Sequence, residues 1–334
     1  MDWSRHLRKA GHVLGLAKDF IKARLGTAVA TLLRPARPPE ASRLLTIVGF
    51  GDNPGQLRMH VHLPPVAPGR PVVVLLHECG QNAASFAAAS GWMETADRLG
   101  FPLILPEQVD ANNRGRCFQW FRPKDTARDS GEAASIAAMT RAAIERFDSD
   151  PGRVFILGLS AGGAMAAAML AAYPDLFAAG ATVAGMPIGA ARSALQALAR
   201  MATAGPQRSA DQWAAQVRAV APTGFAGPWP RLSIWQGQAD RTVASGNAML
   251  LARQWCALHG IVEASALQHV QSGVQHRIWV LPGGRGSRPA VEMWSLPRLA
   301  HAYPIDMPRT EPIRFVEPAA VDATAGIARF FGLD

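Results

Sequence analysis

Ser160 lies at the centre of Gly158-Leu159-Ser160-Ala161-Gly162, a Gly-x-Ser-x-Gly motif. A serine hydroxyl becomes a useful nucleophile only when a base takes its proton, and the surroundings of this residue suit that chemistry. Val154-Phe155-Ile156-Leu157 reads as a buried strand, and Gly163-Ala164-Met165-Ala166-Ala167-Ala168-Met169 begins a helix directly after the motif. Strand, sharp turn and helix in that order make a nucleophile elbow. Gly158 and Gly162 remove the Cβ atoms that would clash where the chain doubles back.

Such a serine needs a histidine oriented by a carboxylate, with the acid and then the base later in the chain, each on a loop after a strand. Asp240 fits the acid: Leu232-Ser233-Ile234-Trp235-Gln236 reads as a strand and Gly237-Gln238-Ala239-Asp240 as the loop at its end. Asp211, Glu263 and Asp306 lack that placement. Among nine histidines, His301 follows the strand-like stretch 291–296, whereas His269 and His276 fall before or within strand-like segments. His60 and His62 share one face of a strand, but no third ligand accompanies them, so neither a metal nor a cofactor is expected. The reaction also needs N–H donors for an oxyanion. Ala161, directly after the nucleophile, supplies one, and the turn His77-Glu78-Cys79-Gly80 should supply the other.

These residues must be positioned by alternating strands and helices, the pattern of an α/β fold. Strands are predicted over 44–50, 57–63, 72–77, 102–105, 154–159, 181–184, 232–236 and 277–281. Helices are predicted over 83–99, 131–147, 162–172, 243–258 and 319–331. The expectation is a mostly parallel central sheet of about eight strands with helices on both faces. The turn Gly51-Asp52-Asn53-Pro54-Gly55 suits an antiparallel hairpin between the first two strands. Residues 186–230, rich in Ala, Gly and Pro, interrupt the alternation and read as a cap inserted over the sheet.

Ahead of the catalytic region (41–334), residues 1–40 form a separate segment. Trp3, Leu7, Ala10, Leu14, Ala17 and Ile21 recur at helical spacing, so an amphipathic helix is predicted over residues 3–33, and a Pro-rich linker follows. Eight Lys and Arg face three Asp and Glu in the first forty residues, so much of the net charge of +9 sits there. Such a helix suits packing on its own domain or on a second subunit, or on a membrane or granule surface. No nucleic-acid-binding motif accompanies the charge, and no nucleic-acid partner is expected. Three cysteines are too few for a disulfide scaffold. The early charges interrupt any signal-peptide core, and no apolar run approaches the roughly 18 residues of a membrane span. A cytoplasmic protein is the expectation.

The chain resembles the esterases related to poly(3-hydroxybutyrate) depolymerase and to the type-1 feruloyl and acetylxylan esterases, within the α/β-hydrolase superfamily. The likeness runs over about residues 50–334 and rests on Asn53-Pro54-Gly55 to Met59, His77 to Cys79, Arg116-Cys117-Phe118-Gln119-Trp120-Phe121, Gly158 to Met165, and Ile327-Ala328-Arg329-Phe330-Phe331-Gly332. It implies a triad of Ser160, Asp240 and His301, an oxyanion donor at the Cys79 N–H, and a disulfide between Cys79 and Cys117, which a reducing cytoplasm would disfavour. Glu78 departs from the family pattern, standing where glycine is usual, and puts a carboxylate beside the oxyanion hole, either working against anionic substrates or pointing harmlessly away. The resemblance implies hydrolysis of short hydroxyacyl esters or polyhydroxyalkanoate. The alternative is cleavage of aromatic or carbohydrate esters, with Trp120, Trp279, Trp235 or Trp294 stacking on a ring, weighed against the reading that these tryptophans fill core or cap. A third is a granule- or membrane-binding protein acting through residues 3–33.

Overall fold

The computed structural model describes residues 43–334 apart from 282, 284–287 and 307–312. The predicted helix over 3–33 and its linker lie outside the described residues. In chain order, the elements begin with β1 (Leu45–Ile47), β2 (Arg58–His62), β3 (Val72–Leu76), α1 (Ala83–Ser90), α2 (Trp92–Leu99) and β4 (Leu103–Glu107). They continue with α3 (Pro123–Thr126), α4 (Gly131–Arg146), β5 (Val154–Leu159), α5 (Ala161–Ala172), β6 (Ala179–Val183), α6 (Ala194–Ala202), α7 (Ala210–Arg218), β7 (Arg231–Gly237) and α8 (Gly246–Leu258). The chain ends with β8 (Leu267–Gln271), β9 (Val274–Trp279), β10 (Val291–Leu296), β11 (Tyr303–Ile305), β12 (Val316–Pro318) and α9 (Ala323–Phe331).

Ten strands form one sheet in the order β1-β2-β4-β3-β5-β6-β7-β10-β9-β8. The middle six are parallel, and antiparallel pairs extend the sheet at both ends. The sheet is thus wider than the eight strands expected. Leu267–Gln271, exposed throughout, lacks the alternation that marks a half-buried strand, so nothing in its pattern announces it. The segment predicted as one helix over 83–99 is two, because Gly91 at φ 77° ends the first with a left-handed cap.

The central strands are buried on both faces, as parallel strands covered by helices must be. Val72, Val74 and Leu76 enter one core cluster with residues of α4, α5 and α8, while Val73 and Leu75 enter another with residues of α1, α2 and α9. This period-two division of one strand between two cores holds the carboxyl ends of β3, β5 and β7 in fixed relative positions. Those ends carry the turn at His77, the elbow at Ser160 and the loop to Asp240.

The loop after β10 reaches the same edge because β7 ends in glycine. A Cβ on Gly237 would lie 2.2 Å from the Leu299 carbonyl oxygen and 2.5 Å from that of Ala300. Gly237→Ala is therefore expected to cost about 1–3 kcal/mol through forced backbone displacement. Denaturant unfolding should show a lower midpoint at unchanged slope; an unchanged midpoint would mean that the 297–301 loop moves aside freely.

Candidate active site

Ser160 sits between β5 and α5 with φ 56° and ψ −116°, a conformation that side-chain-bearing residues rarely adopt. Its N–H donates to the Val183 carbonyl at 2.8 Å. The two motif glycines allow backbone to meet backbone here. A Cβ at Gly158 would lie 2.4 Å from the Gly162 carbonyl carbon, and one at Gly162 would lie 2.3 Å from the Leu76 oxygen. The elbow is thus pressed against the end of β3, next to the turn at His77.

Three residues distant in sequence meet at this edge. His301 Nε2 lies 2.9 Å from Ser160 Oγ, and His301 Nδ1 lies 2.7 Å from Asp240 Oδ2. A carboxylate only accepts, so the partners assign the proton to Nδ1 and leave Nε2 to accept from the serine hydroxyl. Asp240 is held by more than the histidine. Its Oδ1 accepts the Thr242 and Val243 N–H groups at 2.8 Å each, and Oδ2 also accepts from Gln236 Nε2 at 3.2 Å. Burial works against its charge, but the hydrogen bond and charge of His301 and the two backbone donors hold its carboxyl below the usual range.

The Ala161 N–H opens α5 and has no intrahelical acceptor, so it points out of the helix start beside Ser160. Cys79 follows β3 and is joined to Cys117 by a disulfide. The neighbouring Gly80 N–H donates to the Gly115 carbonyl at 2.8 Å, which ties the turn to the same loop. His77 anchors the turn from below. Burial pushes its imidazole down to about 4, so it is neutral near pH 7. Nδ1 donates to the Glu78 carbonyl at 2.7 Å, and Nε2 accepts the Gln108 N–H at 3.1 Å.

Beneath that lies a network that the sequence did not disclose. Gln108 Nε2 donates to Glu132 Oε1 at 2.6 Å, and the Gln119 N–H donates to Glu132 Oε2 at 2.8 Å. Burial pushes Glu132 up to about 8, although both hydrogen bonds pull the other way. Glu132 looks in sequence like an ordinary acid in the first turn of a helix; only the packing of α4 under the 108–119 loop reveals its task.

Glu78 requires a correction. Its side chain neither points away nor presents an anion at neutral pH: it is 2% exposed, and Oε2 lies 3.7 Å from His301 Nε2. Burial pushes its carboxyl up to about 9; the charge of Arg314 opposes this and that of Asp240 adds to it. Oε2 has no hydrogen-bond partner among the described residues, an arrangement that costs about 1–3 kcal/mol for a buried polar atom.

The tryptophans divide. Trp120 lines a cavity of about 240 Å³ together with Ala164, one helical turn beyond Ser160, and with Met186, Ile188 and Arg192 of the 186–230 segment. Ser160 itself does not line that cavity, which opens beside the triad rather than over it. Trp279, offered as a candidate to touch substrate and weighed against core packing, is fully buried in the core, and its Nε1 donates to the Glu263 carbonyl at 2.8 Å. Its place on β9 faces the helix layer, so it cannot reach the site. Trp235 and Trp294 stack on one another with centroids 4.8 Å apart, and His276 stacks on Trp294. His60 and His62 each face a different acid: His60 lies 3.6 Å from Glu107, and His62 lies 2.7 Å from Asp97.

A mostly parallel sheet, a strained serine elbow and an Asp-His-Ser line at the strands' carboxyl ends define an α/β-hydrolase. The family described as esterase PHB depolymerase matches residues 57–276, a span that includes Ser160 and Asp240 and stops before His301. The chain belongs to that family. It is 36% identical over 264 residues to the poly(3-hydroxyalkanoate) depolymerase C of Paucimonas lemoignei, covering 79% of this chain and 62% of that protein. It is 30% identical over 228 residues to feruloyl esterase B of Talaromyces funiculosus, covering 66% of this chain and 64% of that protein. The chain thus spans less than two thirds of the length of either relative. An acetyl xylan esterase from Aspergillus awamori has the same fold, with a TM-score of 0.74 at 21% identity over 87% of this chain and 99% of that one.

The third cysteine, Cys256, is buried, and its thiol is pushed up to about 12 by burial and by Glu263. Titration with a thiol reagent should therefore find no reactive thiol in the native protein, one after denaturation and three after denaturation with reductant. Three thiols on denaturation without reductant would show that Cys79 and Cys117 are not bridged.

Proposed function

We propose that this protein is a serine esterase that hydrolyses short hydroxyacyl esters, including short-chain polyhydroxyalkanoate, through a covalent acyl-enzyme. The observation that carries this is the hydrogen-bond line from Asp240 through His301 to Ser160, with steps of 2.7 and 2.9 Å. In this mechanism His301 Nε2 takes the Ser160 proton as Oγ adds to the ester carbonyl. Asp240 keeps the Nδ1 proton in place and stabilises the imidazolium. The oxyanion is held by the Cys79 and Ala161 N–H groups, each typically worth a factor of about 10²–10³ in rate. Collapse breaks the ester C–O bond, and His301 returns its proton to the departing alcohol. Water, deprotonated by the same nitrogen, then cleaves the acyl-serine.

Ser160→Ala removes the nucleophile and should lower kcat by about 10⁴ or more on p-nitrophenyl butyrate, with little change in folding. Full activity in that variant would refute the mechanism.

Segment 186–230 is proposed as a substrate-choosing cap, supported by Met186, Ile188 and Arg192 lining the cavity beside α5. Trp120 in the same wall favours a second reading, in which the cavity holds an aromatic or sugar ring, as the named activities of the feruloyl and acetylxylan esterase relatives suggest. Turnover of 3-hydroxybutyrate oligomers should exceed that of methyl ferulate under the first reading. The reverse order, reduced by Trp120→Ala, would establish the second.

A further inference from the structure

The turn between β3 and α1 places a carboxyl where the proposed mechanism needs a further polar contact. His301 Nε2 serves two successive oxygens: the Ser160 hydroxyl, 2.9 Å away, and later the oxygen of the water that attacks the acyl-serine. Glu78 Oε2 lies 3.7 Å from that nitrogen. The separation is too long for a direct hydrogen bond and falls within the span that one shared water oxygen bridges. The side chain is held in place by burial, and Oε2 has no partner among the described residues.

We propose that Glu78 binds the hydrolytic water, accepting one of its hydrogens while the other passes to His301 Nε2. The inference rests on Ser160 acting as the nucleophile. An attacking water has two protons and needs an acceptor for each; His301 takes one outright, and Glu78 fixes the direction of the second so that a lone pair faces the acyl carbon. In the step, the water O–H bond to His301 breaks, the new C–O bond forms, and the proton goes on to Ser160 Oγ as the acyl bond breaks. Glu78 neither gains nor loses a proton.

The charges around Glu78 fit this use. Asp240 and His301 face it from the loops after β7 and β10, Arg314 from the segment before β12, and Arg116 approaches the adjoining turn at Gly80. Burial keeps the Glu78 proton on up to about 9. At neutral pH the carboxyl therefore accepts through its carbonyl oxygen without adding a negative charge near the oxyanion. Above about 9 it ionises and sets a negative charge close to the tetrahedral intermediate, which it repels. Turnover should then fall.

The test is pre-steady-state hydrolysis of p-nitrophenyl butyrate by the wild type, Glu78→Ala and Glu78→Gln, with the acyl state read by intact-protein mass spectrometry. Glu78→Ala is expected to release p-nitrophenol in a stoichiometric burst and then to turn over about 10- to 100-fold more slowly, with butyryl-enzyme accumulating. Glu78→Gln keeps a carbonyl acceptor and should retain turnover within a few-fold, but lose the alkaline fall of the wild type because it cannot ionise. Equal slowing of burst and steady state in Glu78→Ala would overturn the proposal, as would turnover of that variant at the wild-type rate with no butyryl-enzyme accumulating. An alkaline fall that persists in Glu78→Gln would also overturn it, and this arm stands even if the alanine variant does not fold. Failure of the underlying esterase reading looks different: no acyl group would be found on Ser160 in any variant.

Discussion

The backbone at Ser160 is the constraint around which the site is built. A non-glycine residue at φ 56° and ψ −116° is held against a cost of about 1–3 kcal/mol. It persists because β5 before it is locked between β3 and β6, and because α5 after it packs so closely that Gly162 touches the carbonyl of Leu76. Release of that packing would let the serine relax, and the alignment of Oγ with His301 would go with it. The same compression brings the helix start, with its outward N–H at Ala161, and the turn after β3 to one place. One strained residue therefore sets both where the Ser160 hydroxyl stands and where the Ala161 N–H points.

Of three carboxyl groups near the site, one is ionised and two are neutral near pH 7, each for a local reason. Asp240 stays ionised because a histidine and two backbone N–H groups compensate its burial. Glu132 receives two donors but lies deep beneath the 108–119 loop, where desolvation outweighs them. Glu78 is raised further than Glu132, to about 9, with only the charge of Arg314 opposing its burial. Residue type is thus a poor guide to charge here; the balance of burial against donors and neighbouring charges decides it. The disulfide from Cys79 and the Glu132 network act on the same turn from two sides, so the backbone donor beside Glu78 is fixed both by a covalent bond and by buried hydrogen bonds.

The aromatic residues show how burial sorts equivalent side chains. Trp120, on a loop between β4 and α3, keeps one face in a cavity one helical turn from the serine. Trp279 and Trp235 lie on strands whose faces are covered, so their rings fill core and their indole N–H groups are taken up by Glu263 and Ser233. A tryptophan on a covered strand cannot serve a substrate, whatever its chemistry.

The sequence by itself determined the elbow, the order of Ser160, Asp240 and His301, the α/β alternation and the family. The first three follow from local signals: a buried strand run, small residues at a sharp turn, and loops placed just after strands; the family follows from the resemblance of its motifs to those of known esterases. It did not disclose the break at Gly91, the exposed edge strand at 267–271, the core position of Trp279 or the Glu132 network. Those depend on which face meets which neighbour, and a side chain's period says only that a face is apolar. Glu78 is the sharpest case. Its identity was plain as a departure beside the oxyanion turn, but its direction, its neutrality and its 3.7 Å approach to His301 came only with the fold, because burial and neighbouring charge are properties of the assembled chain.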